Sequence, residues 1–216
     1  MSVLDILLNP DRFFKRAKEE GMDFIKPLIV LVVAGILAAI NEYVVAIPLE
    51  KAVIEFAINK GMSYDQATTM AKAAYFSSII GSYIEVFITW FIISVILHIF
   101  SSIFSTEGEL TTTLKFMAFS FIPYIVLFPL NLYISISRAE IIKNFGLEGL
   151  TSDAFSGIRM VSIFVGFAIL IWQYALWTFA IKNVRNLTLR NAAIVAALPA
   201  LAIVLLKLYS LLKSIS

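Results

Sequence analysis

The sequence predicts an all-α, polytopic membrane protein with five transmembrane helices plus short amphipathic interfacial helices. Two observations carry this. Of the 216 residues 60% are apolar and only 15% charged, against about 25% charged in a soluble domain, and the mean hydropathy is +0.91. In addition, the residues from Tyr75 to Ile136 form an apolar hairpin around the polar break STEGELTTT. Each of its arms is long enough to cross a hydrocarbon core of about 30 Å. No Gly-rich or charge-rich linker divides the chain. The expected organisation is therefore an N-terminal basic amphipathic segment, residues 1–26, and one membrane domain, residues 27–212.

The elements follow in order. Val3–Leu8 is a short apolar patch. Asn9 suits a helix N-cap and Pro10 the first helical position. The helix Pro10–Glu20 gathers Phe13, Phe14 and Ala17 on one edge, among Arg12, Lys15, Arg16 and Lys18, with Gly21 as its stop. An aromatic edge on a basic helix predicts docking at the lipid headgroups. Acidic Asp5 and the shortness of the apolar run argue against a signal peptide. The first span is expected over Pro27–Leu49, with Pro48 as a kink or restart. Leu49–Lys60 and the segment after the Ser63–Gln66 capping-box pattern read as two short amphipathic helices lying near the membrane.

The second span lies within Phe76–Phe104, where Gly81 and its flanking serines would let another helix approach closely. The third, Leu114–Ile136, contains Pro123 and Pro129, which predict kinks that serve packing. Ser137–Gly157 is a polar loop with a helical piece over Ala139–Phe145. The fourth and fifth spans are about Ile158–Ile181 and Asn191–Tyr209, joined by the basic KNVRNLTLR.

An odd span count places the termini on opposite sides. Arg12, Lys15, Arg16, Lys18, Lys26, Lys115, Lys182, Arg185 and Arg190 fall on one side. Lys51, Lys60, Lys72, Arg138, Lys143, Arg159, Lys207 and Lys213 fall on the other. The totals barely differ, but the N-terminal cluster is dense and precedes the first span. That predicts a cytoplasmic N-terminus and an outer C-terminus. Arg12, Lys15, Arg16, Lys18, Lys182, Arg185 and Arg190 are then the candidate basic residues of the cytoplasmic face. The sequon Asn186-Leu187-Thr188 would face the cytoplasm too.

Few residues offer chemistry. Glu42 and Glu85, counted from the outer ends of their apolar runs, fall at similar depths of about 10 and 13 Å. With Asn41 and Asn131 they form the candidate intramembrane polar or ion site, because a carboxylate in hydrocarbon costs on the order of 3 kcal/mol unless protonated, paired or wetted. Lone His98 fits a hydrogen-bonded structural role, and Gln173 a bond across helices. The absence of cysteine removes thiolate ligands and nucleophiles. No phosphate loop, nucleophile elbow or zinc motif is present, so no cofactor, metal or enzymatic activity is expected. The net charge of +2 does not suggest nucleic acid. The expected partners are the bilayer, a protein at the cytoplasmic face, and another copy of the chain.

Several segments together resemble the Yip-domain family, membrane proteins named for interaction with Ypt/Rab-type GTPases. LLNPDRFFKRAKEEGMDFIKPLIVLVV is similar to the N-P-x-x-F-F … E-x-x … P approach to the first span in prokaryotic members. FSTEGELTTTLKFMAFSFIPYIV resembles the family's polar break and its T-x-x-x-x-x-Y-x-x-x-P continuation, with Phe119 or Phe121 in place of the Tyr and Gly108 alone of the glycines. WQYALWTFAIKNVRNLTLRNAAIVAALPAL resembles the family's ending. The eukaryotic D-L-Y-G-P motif is absent. The resemblance implies a five-span bundle with a cytoplasmic N-terminus. Two functional readings follow: a non-enzymatic scaffold or interaction protein, or a small transporter or channel using Glu85 and Glu42.

Overall fold

The computed structural model describes residues 3–213, and among these the regular structure is helical throughout. Two short helices open the chain, α1 (Val3–Leu8) and α2 (Pro10–Glu19). Asn9 caps α2 as expected, its side chain accepting from the Arg12 N–H at 3.1 Å. The stop falls at Glu20, and Gly21 follows with φ +70°.

Two long helices come next, α3 (Ile25–Asn59, 35 residues) and α4 (Tyr64–Ser101, 38 residues). This corrects the expectation of short helices lying along the membrane. Leu49–Asn59 continues α3 without interruption through Pro48, and Tyr64–Tyr75 is the beginning of α4. The amphipathic spacing of these segments was real, but it marks one buried face of a continuing helix: Ala52, Ala57, Ala67 and Ala71 are all buried. At 1.5 Å per residue the two helices are about 52 and 57 Å long, well beyond the hydrocarbon thickness. The Ser63–Gln66 capping box forms reciprocally, with both bonds at 3.3 Å.

The third expected span is broken. It comprises α5 (Leu110–Ala118), a 3₁₀ turn (Phe119–Phe121), α6 (Ile122–Val126) and α7 (Phe128–Phe145). Pro123 and Pro129 each stand in the first turn of a new piece, where a missing N–H costs nothing. The Ala139–Phe145 piece is the end of α7, stopped at Gly146 (φ +62°). Two short 3₁₀ turns lead to α8 (Ser156–Arg185), and α9 (Leu189–Lys213) follows. Among the described residues, four helices (α3, α4, α8, α9) are long and apolar enough to cross a membrane, and the bent α5–α7 segment makes a fifth if counted as one span.

The chain divides into two compact units. One holds the residues through Val32, Phe87–Pro123 and those from Ile169 onward; the other holds Val33–Val86 and Tyr124–Ala168. In the first unit the core gathers Phe14, Leu97, Phe116, Trp177, Ile181 and Val195. In the second, a smaller cluster joins Val45, Ala52 and Ile142.

Candidate functional site

The first unit concentrates its polar chemistry where α2, α4, α5 and α8 end or begin. The N-terminal helix is held there by apolar contact. Phe13 and Phe14 are 4% and 0% exposed. Their rings meet Phe119 at 5.0 Å and Phe116 at 5.1 Å between centroids. The aromatic edge expected to face lipid headgroups thus faces protein. Its neighbours Phe116 and Phe119 follow the polar break in sequence, and no local pattern reveals that they meet α2.

Cations then finish the helix ends. A helix leaves its last carbonyls without intrahelical donors and carries partial negative charge there. Lys18, on α2, supplies three donors to the end of α8: its Nζ reaches Asn183 O at 2.9 Å, Val184 O at 3.2 Å and Asn186 Oδ1 at 3.0 Å. Asn186 takes φ +52° just beyond α8, and the Leu187 N–H bonds Lys182 O at 3.0 Å. This is the six-residue closure of a helix C-terminus. Lys115 does similar work for the α2–α3 turn, donating to Met22 O at 2.8 Å.

Arg185 closes α4. Its side chain is 4% exposed. The guanidinium donates to Ser101 Oγ (3.1 Å), Glu107 O (2.5 Å) and His98 O (2.9 Å), with His98 Nε2 at 3.0 Å. Arginine only donates, so His98 Nε2 accepts and the ring proton resides on Nδ1. Nδ1 then donates to Thr113 Oγ1 at 2.9 Å, and the Thr113 hydroxyl donates to Glu109 O at 3.2 Å. The hydrogen-bonded role expected of His98 is found, within a relay that ties α4, the polar break and α8 together. Asn186 also donates to the Glu107 carboxylate.

Gly108 shows why the break keeps a glycine. Its φ is +82°, and a Cβ there would meet Val184 O at 2.6 Å. Beside it lies a cavity of about 430 Å³ lined by Lys18, Met22, Gly108, Glu109 and Lys115 among others.

An ion pair completes the arrangement. Lys182 donates to Asp11 Oδ2 at 2.6 Å, and Asn183 Nδ2 to Asp11 Oδ1 at 2.9 Å. Burial alone would push the Asp11 carboxyl up, but the hydrogen bonds from Lys182 and Asn183, with the charges of Lys182 and Lys15, outweigh it and hold the carboxyl below its ordinary range.

The basic residues singled out in the sequence therefore separate into two groups. Lys18, Lys182 and Arg185 are committed to helix ends and to Asp11. Arg12, Lys15, Arg16 and Arg190 are exposed. The first three of these form one i, i+3, i+4 stripe on α2.

The intramembrane candidates lie in the second unit. Gly35 touches Tyr83, and the Tyr43 and Tyr75 rings lie 6.5 Å apart. This antiparallel register puts Glu42 level with about Phe76. Glu85 is nine residues further along α4, about 13 Å away along the axis. The two carboxyls are not at matching depth. The expectation failed because both helices run on past their apolar stretches, so the ends of those stretches mark no common height. Glu42 is half-buried and Glu85 exposed. Tyr124 is near enough to Glu85 to feel its charge. Asn41 is half-buried, and its Oδ1 is buried without a hydrogen-bond partner; Asn131 is half-buried on α7. Gln173 does bond across helices, donating to Ser120 O at 3.2 Å.

Fold and composition define an integral, multi-pass, all-α membrane protein. The Yip1 domain family matches residues 4–211, and the chain belongs to that family. An uncharacterized protein of the archaeon Methanocaldococcus jannaschii is 29% identical over 126 residues, which cover 58% of this chain and 82% of that protein. No solved structure matches.

Proposed function

We propose that this chain is a non-enzymatic integral membrane protein that works by interaction, as a scaffold whose N-terminal helix forms a fixed cytoplasmic platform. The observation that carries this reading is the seating of α2. Phe13 and Phe14 are buried in the first unit, and Lys18 and Asp11 lock onto the end of α8. A loose tether would need none of this. The stripe Arg12, Lys15 and Arg16 is thereby held outward at a fixed place, available to an acidic protein partner or to anionic headgroups. The dense basic flank ahead of α3 favours a cytoplasmic N-terminus and an outer C-terminus.

The second reading is a small transporter or channel that uses Glu85 and Glu42 as a proton or cation site. Proteoliposome flux separates the two readings. On the scaffold reading no proton or cation flux above the lipid background exists to be lost in Glu85→Gln. Flux that this variant abolishes, with the protein still folded, would establish the transporter instead. Orientation is checked by impermeant maleimide on single-cysteine variants of this cysteine-free chain. Lys15→Cys should be protected in intact cells and Lys60→Cys labelled.

A further inference from the structure

We propose that the second unit binds a phospholipid with a primary-amine headgroup, seated in the cavity between α3 and α7. This goes beyond the scaffold reading and does not depend on it. The cavity measures about 600 Å³, within the ordinary range of small-ligand sites. On α3 its lining is one helical face, with Val44, Ile47, Pro48, Lys51 and Glu55 recurring at helical spacing. On α7 the lining runs from Ile136 through Glu140 to Lys143. All of these residues belong to the second unit.

Depth identifies the occupant. Along both helices the lining is apolar first and charged afterwards. Val44, Ile47 and Pro48 fall at the end of the apolar stretch of α3, and Lys51 and Glu55 lie beyond it. Ile136 closes the apolar stretch of α7, and Glu140 and Lys143 lie beyond. The cavity joins these two ends, so it straddles the boundary between hydrocarbon and headgroups. A water-soluble ligand would satisfy the charged half and leave the apolar half unfilled. An amphiphile fills both, and phospholipid is the amphiphile that a bilayer holds at that depth.

Charge identifies the headgroup. The rim carries two cations, Lys51 and Lys143, and two anions, Glu55 and Glu140, all exposed. A purely anionic headgroup would meet both signs. A headgroup with a phosphate beside an ammonium presents one to the lysines and the other to the carboxylates. Lys51 and Glu55 stand 3.8 Å apart with side chains 83% and 61% exposed, too loose and too wet a contact to consume either. Pro48 adds an acceptor. It has no N–H, so the Val44 carbonyl one turn back loses its intrahelical donor, and both residues are part of the lining. A primary ammonium has N–H donors for this carbonyl and for the glutamates, whereas a quaternary one has none.

The test places the whole chain in phosphatidylcholine vesicles with a trace of phosphatidylethanolamine that carries a photoreactive group near its headgroup. Cross-links mapped by mass spectrometry should concentrate in residues 44–55 and 136–146. Their density should be about tenfold that at Phe164, which is 67% exposed on α8. Unlabelled phosphatidylethanolamine should suppress them at about one tenth of the concentration that phosphatidylglycerol requires. Ala139→Trp, which fills the cavity from α7, should abolish the excess labelling. Glu140→Gln should erase the preference for phosphatidylethanolamine and leave the melting temperature unchanged. Three results overturn the proposal: labelling no denser at the cavity than at Phe164, equal competition by phosphatidylglycerol, or undiminished labelling of a folded Ala139→Trp. Should Ala139→Trp fail to fold, Glu140→Gln on the exposed rim decides, and an unchanged lipid preference in it overturns the proposal.

Discussion

Arg185 holds the backbone carbonyl of His98 at 2.9 Å and its imidazole Nε2 at 3.0 Å through the same guanidinium nitrogen. One side chain thereby terminates α4 and orients the only histidine in the chain. Arg185→Ala should leave several buried acceptors without donors and cost roughly 3 kcal/mol. For a chain of this size that is about 6 °C or more in Tm, measured in detergent by circular dichroism. Arg185→Lys should recover only part of the loss, because a compact ammonium cannot span the same acceptors.

Gly108 and Gly61 make a matched pair. Both have positive φ, but a Cβ at Gly108 meets the Val184 carbonyl while one at Gly61 meets nothing within 4 Å. Gly61→Ala should cost about 1 kcal/mol, the backbone penalty alone. Gly108→Ala should cost roughly 2–4 kcal/mol, because a clash with fixed backbone adds to that strain. Thermal melts of the two variants side by side test the difference.

Phe14 is fully buried whereas Phe24 is 38% exposed. Phe14→Ala should destabilise the first unit by roughly 3–5 kcal/mol. Phe24→Ala should cost much less, and the contrast is read from the same melting experiment. An α2 that merely rests on lipid would make the two variants alike.

The Asp11 ion pair predicts a pH dependence with a definite sign. Because its folded carboxyl titrates below the ordinary value of 3.8, the contribution is fully present above that value and disappears as the pH falls through the folded pKa. The pair is partly exposed, with side-chain accessibilities of 29% and 39%, so screening limits its worth to about 1 kcal/mol or less. Asp11→Asn should be less stable than the wild type at pH 7 by up to that amount. The two should converge as the pH falls below the ordinary carboxylate range and through the depressed folded pKa.

Much of the fold was legible because it is local. Asn9-Pro10, Ser63 with Gln66, and Gly21 announce caps and a stop through their own chemistry, and these form as expected. The apolar spans were legible for the same reason. The lengths of α3 and α4 were not, because hydropathy ends where lipid ends, whereas a helix continues wherever an alanine face such as Ala52, Ala57, Ala67 and Ala71 finds protein. The fate of the cations was also hidden. Lys15 and Lys18 look alike in sequence, yet only Lys18 meets the end of α8, 165 residues away. The relative depth of Glu42 and Glu85 depended on a register set by Gly35 against Tyr83, which no composition records.

The account rests most heavily on α2 being a built-in part of the first unit. Amide hydrogen exchange over residues 10–19, with the protein in nanodiscs, tests this directly. We predict protection comparable to that of the α8 end, and its loss in Phe14→Ala. Exchange of these amides at the rate of a frayed surface helix in the wild type would contradict it.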